Sequence, residues 1–428
     1  MTAVGHLRSV PSLLTSQGRS DAAGWALRRP VVFLLLWYAA TRVVVFITMA
    51  VAATWFQTPA GVGHLDPSVG DILAGWDSVW YRRVAEDGYP VPLPADPETG
   101  LLTYSAWAFY PAFPMLVRVL MLTGLSFEVA AVLLNLVLGA VCTILVWKCL
   151  NFAMHAAPQP ARERLALVAG VLWCLYPATA ILVMPYTEAL AAVLIASSLL
   201  LLMRRQYAFV ALVAIGLGFT RAAAPAIACA AIAHLVLRWR EDRATGAPPL
   251  RGQRTSAALM LLATAASSIA WPVVVGVASG LPTAFFDVQA AWGQKPASGP
   301  FVLWLAWAWA AHGLVGVTVL VGLVATYIAL ILGRHGRWLA IELRVWALAY
   351  PIYLLAVVRP ITSMWRFVLL DFPIAALVAS VAMRTATGER VVPHWRRRVA
   401  VVALVLLGGM FWFTCTLLTY TPWAAAPP

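Results

Sequence analysis

Charge is scarce in this chain. Only 11% of its 428 residues are Asp, Glu, Lys or Arg, where soluble domains carry about 25%. Acidic residues number 17, and Lys148 and Lys295 are the only lysines. So few charges cannot cover a water-soluble body of this length. The five cysteines (Cys142, Cys149, Cys174, Cys229, Cys415) all fall in apolar runs. None has metal-ligand spacing, and the pattern offers no disulfide framework. His64, His312 and His335 form no cluster, so no metal or other cofactor is called for. The chain has neither a P-loop nor a dinucleotide fingerprint, which leaves a nucleotide-powered mechanism without support. Gly/Ser linkers and an obvious internal repeat are also lacking. The second absence disfavours transporters built from duplicated halves.

What is present is apolar sequence: 62% of residues are hydrophobic. Repeated runs of this kind predict membrane spans. The candidates are 31–56, 128–150, 165–184, 189–203, 207–220, 222–237, 256–279, 312–333, 343–358, 367–383 and 399–420. The expectation is therefore an all-α polytopic membrane protein with about 11 transmembrane helices, within a range of roughly 10–13. The N-terminus lacks a compact signal peptide, and the first apolar run, from Val31, is long enough to stay as a span. The chain divides into a cytoplasmic tail 1–30, a single membrane domain 31–420 and a tail 421–428.

The net charge of +13 could suggest nucleic acid, but the basic residues sit in short loops between spans. That is a topology signal. With the N-terminus inside, 22 of the 30 Lys and Arg residues fall on the cytoplasmic side. The other eight are Arg42, Arg82, Arg83, Arg118, Arg221, Lys295, Arg359 and Arg366. The split orients the chain and puts the C-terminus outside. Segments 57–127 and 280–311 become the longest outer segments and the places with room for a site.

The unusual polar residues converge on that outer face. Residues 76–89 read Trp-Asp-Ser-Val-Trp-Tyr-Arg-Arg-Val-Ala-Glu-Asp-Gly-Tyr. Trp76, Trp80 and Val84 recur every four residues, so a helix here has one apolar face suited to the headgroup region. Asp77 and Tyr81 share the neighbouring face. Asp77 is either a general base on a hydroxyl or the cap of a short helix, with equal weight from spacing alone. Phe109, Tyr110, Pro111 and Pro114 predict a bent entry into a surface helix, since two prolines three apart cannot lie inside a regular one. Tyr186, Thr187 and Glu188 form a corner between short spans. There Glu188 caps a helix or points into an outer cavity, capping being slightly favoured. Arg42, Arg221, Arg359 and Arg366 form a basic set whose planar forks match phosphate. Arg42 lies well inside the first span, where an Arg costs at least ~2.5–3.5 kcal/mol and calls for an anionic partner.

The run Trp76 to Tyr81, followed by Val84-Ala85 and Gly88-Tyr89, resembles the first-loop motif of the PIG-V-type mannosyltransferases. That family comprises the second GPI mannosyltransferase and its bacterial relatives. Phe109 to Pro114 is similar to the Phe-Phe-Pro-x-x-Pro element that follows in the family, and Pro185 to Glu188 to its Tyr-Thr/Ser-Glu corner. The Thr220-Arg221 and Arg366-Phe367 steps and the Arg in the first span also have counterparts, so the likeness covers residues 31 to about 375. The resemblance implies a C-type glycosyltransferase fold with an extracytoplasmic site. It implies a polyprenyl-phosphate-mannose donor, a glycolipid or glycan acceptor, and Asp77 as general base. Arg42, Trp76, Trp80, Tyr81, Tyr110, Tyr186, Glu188, Arg221, Arg359 and Arg366 are then the candidate substrate-binding residues. Asp371 departs from the pattern and offers Arg366 a carboxylate. The Ala- and Arg-rich, Lys-poor composition points to the plasma membrane of a high-GC bacterium. The competing readings are a lipid or ion transporter, whose carboxylates would sit near the midplane, a transferase of a different sugar, and a non-catalytic assembly partner.

Overall fold

The computed structural model describes residues 21–58, 66–154, 161–246, 251–294, 298–384 and 391–420. Residues 1–20 of the predicted N-terminal tail, the whole predicted tail 421–428, His64 and Lys295 lie outside the described residues. Within the described residues the regular structure is helical, joined by turns and loops, with two isolated bridges, Ala95 to Leu102 and Arg384 to Val391. The helices are α1 (Asp21–Arg28), α2 (Pro30–Trp55), α3 (Val69–Ala74), α4 (Asp77–Glu86), α5 (Ala112–Met121), α6 (Phe127–Ala153), α7 (Ala161–Cys174), α8 (Glu188–Met203) and α9 (Tyr207–Gly218). They continue with α10 (Ala224–Thr245), α11 (Arg251–Ser279), α12 (Ala284–Ala291), α13 (Val302–Leu332), α14 (Ile341–Val357), α15 (Met364–Val368), α16 (Pro373–Met383) and α17 (Trp395–Thr416).

Five of these, α2, α6, α11, α13 and α17, are long and apolar enough to cross a membrane. The chain is a multi-pass membrane protein. Each predicted span meets a helix, but several are short or broken. The span expected at 165–184 is α7 followed by a 3-10 turn over Pro177–Leu182. Pro177 lacks the N–H that would continue α7, so the chain turns inside the fold. The span expected at 367–383 is likewise split into α15 and α16, with Pro373 opening the second. The segment 280–311, expected outside, is largely helical: α12 lies in it, and so does the first part of α13, which breaks at His312 and Gly313, where the predicted span begins.

Packing follows small residues and apolar surface. α2 lies against α6, α7 and α17, while α9 and α10 are covered by α11. At Gly218 a Cβ would stand 2.6 Å from the Ser267 carbonyl oxygen. The absent side chain is what lets α9 and α11 touch there. Two cores result. One gathers Cys149, Leu199, Ile227 and Trp346, and the other gathers Met49, Phe113, Ile181 and Phe413 beneath the first loop. α13 is the outlier, with Leu314, Val315 and Leu323 exposed along it.

Candidate active site

Four short elements meet at the site: the start of α4 and the Pro185–Thr187 corner, which rest on the second core, and the step from α9 to α10 and α15, whose Ala223 and Phe367 pack into the first. The first of these is set by the backbone. Trp76, the residue before α4, has φ 56° and ψ −127°, a conformation costly for any residue with a Cβ. It is held by its own ring, whose N–H donates to the Leu418 carbonyl at 3.1 Å while the face stacks on Tyr420 at 4.1 Å. Trp76 therefore pins the loop to the C-terminal segment rather than continuing the apolar face of α4. Trp80 supplies that face, stacking on Phe109 at 5.7 Å and meeting Trp292 edge-on at 5.4 Å. Arg82 reaches Glu128 at 3.0 Å and ties α4 to α6.

This geometry removes the capping reading of Asp77. No side chain caps α4, and Trp76 occupies the cap position. The Asp77 carboxylate takes a hydrogen bond from Arg366 at 2.5 Å, across 289 residues of chain. Its backbone N–H donates to the Tyr186 hydroxyl at 3.3 Å. Placement in the first turn of α4 also suits a negative charge. The Asp77 side chain remains 15% exposed, so a small molecule can reach it.

Glu188 is fully buried and caps nothing: Thr187 stands before α8 without a side-chain cap bond. The Glu188 carboxylate accepts from Arg221 at 2.8 Å and lies 3.6 Å from Arg366. Asp77, Arg366, Glu188 and Arg221 thus form a chain of alternating charge. Buried ions need this arrangement, because an uncompensated one is strongly destabilising. The guanidinium of Arg366 also lies 4.9 Å over the Tyr186 ring, and that of Arg221 4.3 Å over Phe367. Tyr81 and Thr187 share a hydrogen bond at 3.3 Å. Burial first, then the nearby Glu188 and Asp77 charges, push the Tyr81 phenol up. It therefore serves as a neutral hydroxyl.

The pairings expected of Asp371 and Arg42 are corrected. Asp371 does not pair with Arg366; it accepts a hydrogen bond from the Tyr327 hydroxyl, in the first core, because the turn between α15 and α16 sends the two side chains to different neighbours. Arg42 is buried as expected, but it makes no ion pair among the described residues. Its guanidinium donates to the Thr179 carbonyl and hydroxyl at 2.7 Å each, and to the Cys174 carbonyl at 3.4 Å. These are acceptors left open where α7 breaks, so neutral dipoles stand where an anion was expected. Arg359 stays outside the cluster: it is exposed and its guanidinium covers Gly293. Tyr110 packs on Trp271 and Phe285, one layer away.

Sequence reasoning missed Asn135. Fully buried in α6, its amide donates to the Met184 and Tyr186 carbonyls at 2.5 and 3.0 Å and so fixes the corner that aims Tyr186 and Glu188. The available signal was an amide in the middle of an apolar span, which needs a partner. Among the described residues no three His, Cys, Asp or Glu side chains converge as a metal-ligand set.

No family model matches the chain, and no curated protein matches it in sequence. Among solved structures it is similar to the oligosaccharyltransferase of Archaeoglobus fulgidus, solved with a tethered acceptor peptide. Identity is 13% and the TM-score 0.45, over 92% of this chain and 55% of that one. This chain therefore spans about half of that protein's length, and a likeness at that score carries no inference about fold or activity.

Proposed function

We propose that the chain is a membrane glycosyltransferase of the C type. It transfers a sugar, with mannose preferred, from a polyprenyl-phosphate donor to a glycolipid or glycan acceptor outside the cytoplasm. The observation that carries this reading is the Asp77–Arg366–Glu188–Arg221 chain beneath the first loop. It joins a partly exposed carboxylate to two cations with planar forks, Arg366 buried and Arg221 partly exposed. In the proposed reaction Asp77 removes the proton from the acceptor hydroxyl as its oxygen bonds the anomeric carbon. The bond from that carbon to the phosphate oxygen breaks on the opposite face, and the electron pair leaves with the polyprenyl phosphate. Arg366 and Arg221 offset the charge on the departing phosphate. Because Arg366 holds Asp77 in the resting protein, donor phosphate that draws Arg366 away frees the carboxylate for the incoming hydroxyl.

The resemblance of the Trp76–Tyr89 run to the PIG-V-type mannosyltransferases supports the choice of donor. The extracytoplasmic placement rests on the distribution of Lys and Arg. Purified protein incubated with radiolabelled polyprenyl-phosphate mannose and a membrane lipid extract tests the reading. Label is expected to move to a lipid or glycan product, and folded protein that leaves all label on the donor overturns it. In a variant without its native cysteines, Glu98→Cys should be labelled by a membrane-impermeant thiol reagent in intact cells. Labelling only after permeabilisation would reverse the orientation.

A further inference from the structure

Opposite the candidate active site, the structure holds a second polar feature. α10 begins three residues after Arg221 and runs 22 residues to Thr245. At 1.5 Å per residue that is about 33 Å, close to the thickness of the hydrocarbon layer. At its far end, between α9, α10 and α11, lies a pocket of about 640 Å³, open on one side. Tyr207, Arg238, Trp239, Arg243, Gln253 and Arg254 line it. The volume falls within the ~300–1,000 Å³ of small-molecule sites.

The pocket is built to hold negative charge. Residues 204–205 and 238–254 carry seven arginines against two carboxylates, Glu241 and Asp242. Both carboxylates are engaged: Arg238 pairs with each at 3.2 Å, and Arg205 lies 3.9 Å from Glu241. Arg243 and Arg254 make no ion pair among the described residues. The Arg243 guanidinium lies 4.2 Å over the Trp239 ring. A stacked guanidinium keeps its in-plane N–H groups available to an oxyanion. The opposite wall is fixed from behind, since the Tyr207 hydroxyl bonds His234 at 3.0 Å and His234 bonds Glu342 at 2.5 Å. The adjoining surface of the same helices is apolar, with Leu237, Leu259 and Leu262 exposed. Cations above and bare hydrocarbon beside them match a molecule with a phosphate head and acyl chains.

We infer that this pocket binds the phosphodiester headgroup of an anionic membrane lipid in the leaflet opposite the candidate active site. Arg243 and Arg254 take the phosphate, and the lipid's chains lie along α10 and α11. The assignment does not rest on the transferase reading. The test uses the full chain purified in a neutral detergent and titrated with phosphatidylglycerol or phosphatidylcholine, bound lipid being counted by native mass spectrometry. Phosphatidylglycerol is expected to bind at least fivefold more tightly than phosphatidylcholine. A basic side chain at an anionic surface contributes roughly a fivefold factor, so Arg243→Gln/Arg254→Gln should weaken phosphatidylglycerol about 30-fold. Arg240→Gln/Arg251→Gln removes the same charge from exposed positions outside the pocket lining and should change binding less than threefold. Equal losses in the two double variants would reduce the effect to general surface charge and overturn the proposal, as would equal binding of the two lipids. Lipid retention in millimolar inorganic phosphate supports the headgroup. Displacement by phosphate would assign the pocket to the free anion and overturn the lipid assignment.

Discussion

Arg42 and Arg366 are the same residue at nearly the same burial, 4% and 7% exposed, in two different regions. Arg42 sits where α7 breaks and is surrounded by the carbonyls and hydroxyl that the break exposes. Arg366 sits where loop, corner and α15 meet, and is surrounded by carboxylates. The first arrangement satisfies a local backbone irregularity and has no reason to change. The second is an ion chain one of whose carboxylates is open to solvent, so a phosphate can compete for the cation. Burial of an arginine therefore does not identify a site; the chemistry of its partners does. Arg42 stabilises the fold, and Arg366 is the cation the proposed reaction uses.

That comparison can be broken by experiment. The largest expected effect belongs to Arg366→Met, which leaves Asp77 and buried Glu188 short of a cation. Removing one partner of a buried ion pair costs about 3–5 kcal/mol, so denaturant titration should show that loss, together with loss of transfer. Glu188→Gln strands Arg221 and Arg366 less completely, because Asp77 still faces Arg366. It should lower stability by roughly 1–3 kcal/mol. Arg42→Met strips donors from the broken end of α7 and should also cost about 1–3 kcal/mol. Transfer per folded molecule should stay within twofold of wild type; a larger loss would return Arg42 to the site and erase the contrast with Arg366. Arg359→Gln is exposed and outside the cluster, so its effect on stability should be within about 0.5 kcal/mol, with transfer little changed.

How much of this was legible in the sequence depends on range. Apolar runs fixed the existence and order of the helices, because a span is a local property of about 20 residues. Breaks within spans were harder. Pro177 and Pro373 are visible in the sequence, yet whether a proline kinks, starts or ends a helix depends on what surrounds it. Within the site, the residue types at Asp77, Glu188, Arg221 and Arg366 were readable because each is a charge in an apolar chain. Their pairing was not. Asp77 and Arg366 are 289 residues apart, and Asp371 stood much nearer in sequence as a rival partner. Asn135 carries no charge to mark it, and its two carbonyl partners lie 49 and 51 residues away, in the corner that they fix.

The central claim is that the Asp77 carboxylate takes the acceptor proton rather than holding the fold. Asp77→Asn keeps the size of the side chain and can still accept the Arg366 N–H through its amide oxygen. Transfer from radiolabelled polyprenyl-phosphate mannose should be measured on purified Asp77→Asn protein whose unfolding midpoint has been compared with wild type. The expected result is a folded protein whose transfer rate is lower by about 10²–10⁴-fold, with Glu86→Gln and Asp87→Asn close to wild type in the same assay. Transfer by Asp77→Asn at near the wild-type rate would contradict the assignment, and so would a variant that does not fold.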